Sequence, residues 1–227
     1  MQAATQVLDR NVRTAVRPAP RDPLDLLEQF GTTVTVERDR QIHGQGDDAE
    51  ACYRVLRGCV RVVSLMEDGR RQVSEFLLPG DLFGFDALGT HDFAAEAVTD
   101  VVLRRYPRRM VEALAERQLG LSRRLRDLAA VSLRIAHARL LMLGRKTASE
   151  RLAGFLLEMS KRLVRDGEWM ELPMSRTDMA DHLGLTIETV CRLLAHLRRE
   201  GTVDIGRGSI RITDRVALQQ MASESRH

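Results

Sequence analysis

The stretch "SRTDMADHLGLTIETVCRLLAHL", residues 175–197, decides how the C-terminal part of the chain is read. Ser175 is a good N-cap, and Asp178, three residues on, sits near the positive end of a helix dipole. Met179, Leu183 and Leu185 supply apolar contacts, and Ala180 is small where a second helix must cross closely. Gly184 permits the positive φ of a sharp helix-to-helix turn. Thr186 can cap the next helix, whose Val190, Leu193 and Leu194 return to the core. A small residue, a glycine four later and an apolar residue six after that have the spacing of a helix-turn-helix. The same residues would also serve as a plain packing unit, so their surroundings have to decide between the two.

Downstream, "GTVDIGRGSIRITD" reads as two strands, Thr202 to Ile205 and Ser209 to Thr213, joined by Gly206-Arg207-Gly208. A hairpin in that position makes the winged variety, and the upstream "WMELP" can add a third strand. On the solvent face of the second helix, Ile187, Glu188, Cys191 and Arg192 occupy the first turns, where a recognition helix meets base edges. Glu188 can accept a hydrogen bond from a cytosine or adenine amino group, and Arg192 can bond O6 and N7 of a guanine together. The competing reading is a plain i,i+4 ion pair between them, worth about 0.2–0.5 kcal/mol. Ser175, Arg176, Thr186, Thr189, Arg198, Arg199 and Arg207 are placed to meet phosphates, or to be solvated surface groups.

Upstream the pattern differs. Residues 1–23 are rich in Ala, Thr, Arg and Pro without hydrophobic period, which predicts a disordered tail, followed by a short amphipathic helix from Leu24 to Phe30. From Gly31 to about Tyr106 short strands alternate with turns. "TTVTVER" has period two, "IHGQGDD" reads as a turn, "CYRVLRG" and "CVRVVSL" are strands around Gly58, and "EDGR" is a hairpin turn. "RQVSEFLLPGDLFG" and "FAAEAVTDVVLRRY" complete a sandwich or barrel with Gly58, Gly69 and Gly80 spaced eleven apart.

Pro107 opens a helical region, first to about residue 117 and then from about Gly120 to Leu143. Leu121, Leu125, Leu128, Ile135 and Met142 form a heptad-like stripe, with Ser132 and Arg139 filling two seam positions. Such a helix can lie against its own domain, but its length favours pairing with a second copy. Gly144 is read as its end and as a hinge. "KTASERLAGFLLEMSKRL" then starts another helix, with Thr147 and Glu150 as a capping box and Leu152, Phe155, Leu156, Met159 and Leu163 as a core face.

Composition narrows the function classes. The 227 residues are 44% hydrophobic and 30% charged, with a net charge of +3 carried almost entirely by arginine, which suits a polyanionic partner. Aromatics at 4% offer no stacking platform for single-stranded nucleic acid. The longest apolar run, Leu140 to Leu143, cannot span a bilayer. Three cysteines and no secretory signal point to the cytoplasm. No Ser-His-Asp set, phosphate-cradling glycine loop or metal triad suggests an enzyme.

Across residues 24–215 the chain resembles the Crp/Fnr superfamily of bacterial transcription regulators. "GCVRVVSLMEDGRRQVSEFLLPGDLFG" is similar to that family's sensor roll, the long helix to its dimerisation helix, and "MSRTDMADHLGLTIETVCRLLAHLRREGTV" to its DNA-reading motif. "LPGDLFGFDALGTHDFAAEA" and "ASERLAGFLLEMSKRL" most resemble the FixK branch of Fnr-like regulators. The resemblance implies an α+β chain with an N-terminal β-roll (a double-stranded jelly-roll sensor domain), a long dimerisation helix and a C-terminal winged helix-turn-helix. Residues 24–119 would form the sensor domain, 120–144 the dimerisation helix and hinge, and 145–227 the DNA-binding domain.

It further implies a homodimer that binds double-stranded DNA and recruits RNA polymerase. Glu188 and Arg192 match the family's base-reading pair, and apolar Ile187 before the glutamate implies TTGA-like half-sites in an inverted repeat. Cys191 stands where Fnr-like proteins often have serine, a small quiet side chain or a redox-sensitive thiol at the DNA interface. Cyclic-nucleotide control is not expected, because Phe85 follows Gly84, and Phe93-Ala94 replace the family's arginine and hydroxyl residue. Nor is an iron–sulfur cluster, since Cys52 and Cys59 supply only two thiolates. His43, His91 and His137 lack metal-ligand spacing, so no metal or cofactor is expected. The alternative is a ligand- or redox-gated sensor regulator.

Overall fold

The structure, a computed structural model, describes residues 22–85, 89–163 and 168–223. The expected N-terminal tail up to residue 21 lies outside the described residues. Asp22 and Pro23, expected to end that tail, instead open a 3₁₀ helix, Pro23–Phe30, where Asp22 and Asp25 form a capping box.

Eight strands follow: β1 (Thr32–Val36), β2 (Gln41–His43), β3 (Ala51–Arg57), β4 (Val60–Leu65), β5 (Arg71–Leu77), β6 (Leu82–Phe83), β7 (Ala94–Ala97) and β8 (Val101–Pro107). They form two antiparallel four-stranded sheets, ordered β1-β8-β3-β6 and β2-β7-β4-β5. Val55, Val60, Leu77, Phe83, Val101 and Leu103 fill the space between them. Ile42 and His43, expected in a turn, lie instead in β2, which pairs with β7 through Gln41 and His43 around an irregularity at Ile42. Gly58, Gly69 and Gly80 have φ of 87°, 82° and 99°, which explains their recurrence between strands.

Helix α1 (Arg108–Arg117) leads into α2 (Leu119–Arg145). Gly144 does not end α2: it lies inside the last turn, the helix closes on Lys146, and the expected hinge glycine is helical. Helix α3 (Ala148–Leu163) starts at the expected capping box, with the Thr147 N–H donating to Glu150 at 2.5 Å and the Glu150 N–H to the Thr147 hydroxyl at 3.3 Å. Strand β9 (Met170–Glu171), helices α4 (Arg176–Leu183) and α5 (Ile187–Arg199), strands β10 (Val203–Ile205) and β11 (Ser209–Ile212), and helix α6 (Arg215–Ser223) complete the chain. The small sheet has order β10-β11-β9, so "WMELP" does supply the third strand. The architecture is the expected α+β one.

One apolar core joins the two halves. Val63 of β4 and Val73 and Phe76 of β5 pack in the same cluster as Leu152, Phe155, Met179, Leu183 and Leu194 of the helical half. The helical half is therefore seated on the β4–β5 hairpin.

Candidate nucleic-acid interface

Helix α4 begins at Ser175, whose hydroxyl accepts from the Asp178 N–H at 3.0 Å while the Asp178 carboxylate accepts from the Ser175 N–H at 3.0 Å. It ends at Gly184 in the left-handed region, φ 62° and ψ 43°, where an L side chain would be strained. Thr186 caps α5 by accepting from the Thr189 N–H at 3.2 Å, and the two hydroxyls also meet at 3.2 Å. Val190, Leu194 and Leu197 bury one face of α5, so the opposite face must point outwards.

On that outer face Ile187, Glu188, Cys191 and Arg192 are all exposed. Glu188 accepts from its own N–H and from the Thr186 hydroxyl, which holds its carboxyl below the ordinary glutamate value. The i,i+4 alternative is not realised, because among the described residues Arg192 forms no ion pair. An acceptor and a free guanidinium thus stand one turn apart, a geometry that can address two adjacent base pairs.

Beside them lies a concavity of about 510 Å³ lined by Arg176, Cys191, Leu194, Arg198 and Arg199. Arg176 is half-buried there, and burial lowers its pKa. Ser175, Arg198 and Arg207 are exposed, with Arg207 at the tip of the β10–β11 hairpin. Of the expected DNA-facing residues, this concavity brings Arg176, Cys191, Arg198 and Arg199 together.

The expected dimer-seam residues divide. Leu121 is completely buried against Leu24, Leu27, Tyr106 and Val111 of its own chain, with Leu125 and Leu128 packed on the same cluster. Leu121 is thus corrected from seam to intrachain core: a heptad stripe satisfies either partner, and the 3₁₀ helix reaches it first. Arg139, expected in the seam, turns to its own chain too, donating to the Val73 carbonyl at 3.3 Å and lying against His182. Beyond this point the helix is bare. Every residue from 129 to 138 is exposed, Val131, Leu133 and Ile135 among them, while Met142 is half-buried.

Contacts invisible to local sequence reading surround α4. Arg61 of β4 reaches Asp178 at 3.1 Å and Glu96 at 2.8 Å. Arg71 of β5 reaches Asp178 at 2.8 Å and Asp181 at 2.6 Å, and Gln72 donates to the Asp181 carbonyl. Burial by itself would raise the Asp178 carboxyl, but Ser175, Arg61 and Arg71 outweigh it and leave it lowered. His182 is buried against Phe76 and Phe155, and burial, then Arg139, pushes its pKa down to about 3.

In the β-roll, Ala94 is buried and Phe85 packs on the Leu24 cluster. Burial pushes the Cys59 thiol up to about 12. His43 and His91, treated separately from sequence, stack at 3.6 Å, and among the described residues no group of three His, Cys, Asp or Glu side chains is arranged to hold a metal ion. No described helix is long and apolar enough to cross a membrane.

Comparison with known proteins gives the family. Residues 33–118 match the cyclic nucleotide-binding domain family and residues 150–221 the Crp-like helix-turn-helix domain family. The chain is 40% identical over 204 residues to the nitrogen fixation regulation protein FixK of Rhizobium meliloti (strain 1021), covering 89% of this chain and 90% of that one. It is 34% identical over 209 residues to the transcriptional activatory protein AadR of Rhodopseudomonas palustris, covering 91% and 86%. The solved structure of FixK2 from Bradyrhizobium japonicum superposes with a TM-score of 0.83 at 41% identity, covering 86% of this chain and 99% of that one. With its reading helix presented on a β-roll in this way, the chain belongs to the Crp/Fnr family in its FixK branch: it is a helix-turn-helix DNA-binding transcription regulator and not an enzyme.

Proposed function

We propose that this regulator works as a homodimer on inverted repeats with TTGA-like half-sites, recruiting RNA polymerase in the cytoplasm as an activator. The observation that carries the reading is the outer face of α5, where Glu188 and Arg192 are both exposed one turn apart, Arg192 with no ion pair among the described residues. Glu188 and Arg192 read base edges, Ile187 and Cys191 shape the contact, and Ser175, Arg176, Thr186, Thr189, Arg198 and Arg207 meet the backbone.

The bare stretch of α2 supports the dimer. Three turns of helix exposed on every side are marginal in water, and Val131, Leu133 and Ile135 offer apolar area to a second copy. Ile135 and Met142 remain seam residues in this reading. Residues 24–119 would then serve as the sensor domain, 120–144 as the dimer helix and 145–227 as the DNA-binding domain. The relative AadR is a transcriptional activatory protein, which favours activation.

The β-roll supports a regulator that needs neither cyclic AMP nor an iron–sulfur cluster. Phe85 and the buried Ala94 stand where, by the family resemblance, a phosphate would need polar partners, and Cys52 and Cys59 supply only two thiolates where a cluster needs four. One observation favours gating by oxidation as a second reading: of the three cysteines Cys191 alone is exposed, in the arginine-lined concavity, where an added negative charge would oppose phosphates.

Selection from randomised duplexes with the purified protein tests the main reading. An inverted repeat with TTGA-like half-sites is the expected consensus. Enrichment of a single unpaired site, or of no sequence, would overturn it.

A further inference from the structure

The reading helix of a dimeric regulator must meet its half-site at the right distance and angle from its twin. Apolar packing is non-directional, so the shared core between the β4–β5 hairpin and α4 holds the two together without by itself fixing their rotation. The polar contacts across that junction are directional. The Arg71 fork engages two carboxylates one turn apart on α4, Asp178 at 2.8 Å and Asp181 at 2.6 Å. Arg61, braced from behind by Glu96 at 2.8 Å, reaches Asp178 from the neighbouring strand. Arg139 of α2 lies against the His182 ring at the end of the same helix, its Nη1 3.0 Å from Nδ1.

Three arginines from three elements therefore converge on eight residues of α4. Asp178, which two of them grip, also forms the capping box with Ser175 in the first turn of α4. The grip leaves Ile187, Glu188 and Arg192 exposed, so it positions the reading face rather than covering it.

We propose that Arg61, Arg71 and Arg139 are positioning residues for operator recognition: they lock α4, and with it α5, at one angle to the β-roll and α2, and so set the half-site spacing that the dimer accepts. The inference rests on the dimeric reading given under Proposed function. It makes spacing selectivity a property of side chains that touch no DNA.

The test uses the full-length protein and labelled duplexes carrying TTGA/TCAA inverted repeats, with the spacer changed by one base pair at a time. Each step moves one half-site by about 3.4 Å and about a tenth of a turn. Wild type is expected to favour one spacing over its neighbours by about ten-fold. Arg61→Ala with Arg71→Ala is expected to abolish most of that preference while still rejecting a half-site with its guanine changed as well as wild type does. Arg71→Lys, which keeps the charge but not the fork, is expected to fall between. A double variant with the wild-type spacing preference would overturn the proposal. So would one that loses base discrimination and spacing together with a lowered melting temperature, because the arginines would then be structural only. A wild type that is selective for repeats yet indifferent to spacing would overturn it while leaving the dimeric reading intact. A wild type that binds repeats and scrambled DNA equally would overturn that reading itself.

Discussion

Arg61 and Asp178 are 117 residues apart in the chain and 3.1 Å apart in space, in a contact where both side chains are largely buried. This pair ties the β-roll to the first helix of the DNA-reading motif. Asp178 answers at once to the helix cap, to Arg61 and to Arg71, so removing it leaves two guanidiniums without their shared partner. Asp178→Ala is expected to destabilise the chain by about 3–5 kcal/mol, with Asp178→Asn losing less because it can still cap. Urea unfolding at neutral pH measures both. A loss under 1 kcal/mol for the alanine variant would show that the network is solvent-screened.

Gly184 makes a second stability prediction. Its φ of 62° is strained for an L side chain, and a Cβ there would sit 3.2 Å from Leu143 Cδ2. Gly184→Ala should cost about 1–2 kcal/mol, and Gly184→Asn less, since asparagine tolerates the left-handed region. Equal costs for the two would move the cause from the backbone to the contact with Leu143.

The buried imidazole of His182 predicts a pH dependence. Its pKa falls from 6.5 to about 3, by burial first and then by Arg139. Between those values the unfolded chain binds a proton that the folded chain does not, so His182 makes stability fall as pH falls, by at most about 1.4 kcal/mol per pH unit. Glu75, raised by burial, acts in the opposite sense above its ordinary value, and Asp178, lowered, matters only in more acid solution. The clean readout is the difference between wild type and His182→Gln from pH 6.5 to pH 5, where the variant should lose less stability. Parallel curves would contradict the assignment.

The two ends of α2 should respond differently. Ile135→Asp is expected to shift sedimentation from dimer to monomer with little change in the fold, since Ile135 is exposed. Leu121→Ala, at a fully buried position, should instead lower stability by about 2–5 kcal/mol and leave association intact. A dimer unchanged by Ile135→Asp would place the interface elsewhere.

What was legible in the sequence was local. The Ser175 and Thr186 caps, the Gly184 turn and the β10–β11 hairpin each depend on residues a few positions apart, and all form as read. The outer face of α5 follows from the same period. The seam was misread at Leu121 because seven-residue spacing does not say which surface a stripe meets. The glycine at 144 suggests a stop, yet the helix runs on to Arg145, because a glycine favours but does not impose the left-handed turn that ends a helix. The arginine grip on α4 leaves no local trace, since its partners come together only after the β-roll and the helices have packed.

Binding of freshly purified, reduced protein, without added ligand, to a duplex with a TTGA/TCAA inverted repeat, against a scrambled duplex at the same salt, tests the central claim most directly, because electrostatic affinity varies steeply with salt. The account predicts tight binding to the repeat, by about a thousand-fold or more over the scrambled duplex. Arg192→Ala should lose about 1–3 kcal/mol of discrimination at one guanine. Equal, weak binding of wild type to both duplexes would contradict the claim that Glu188 and Arg192 read such a site without an effector.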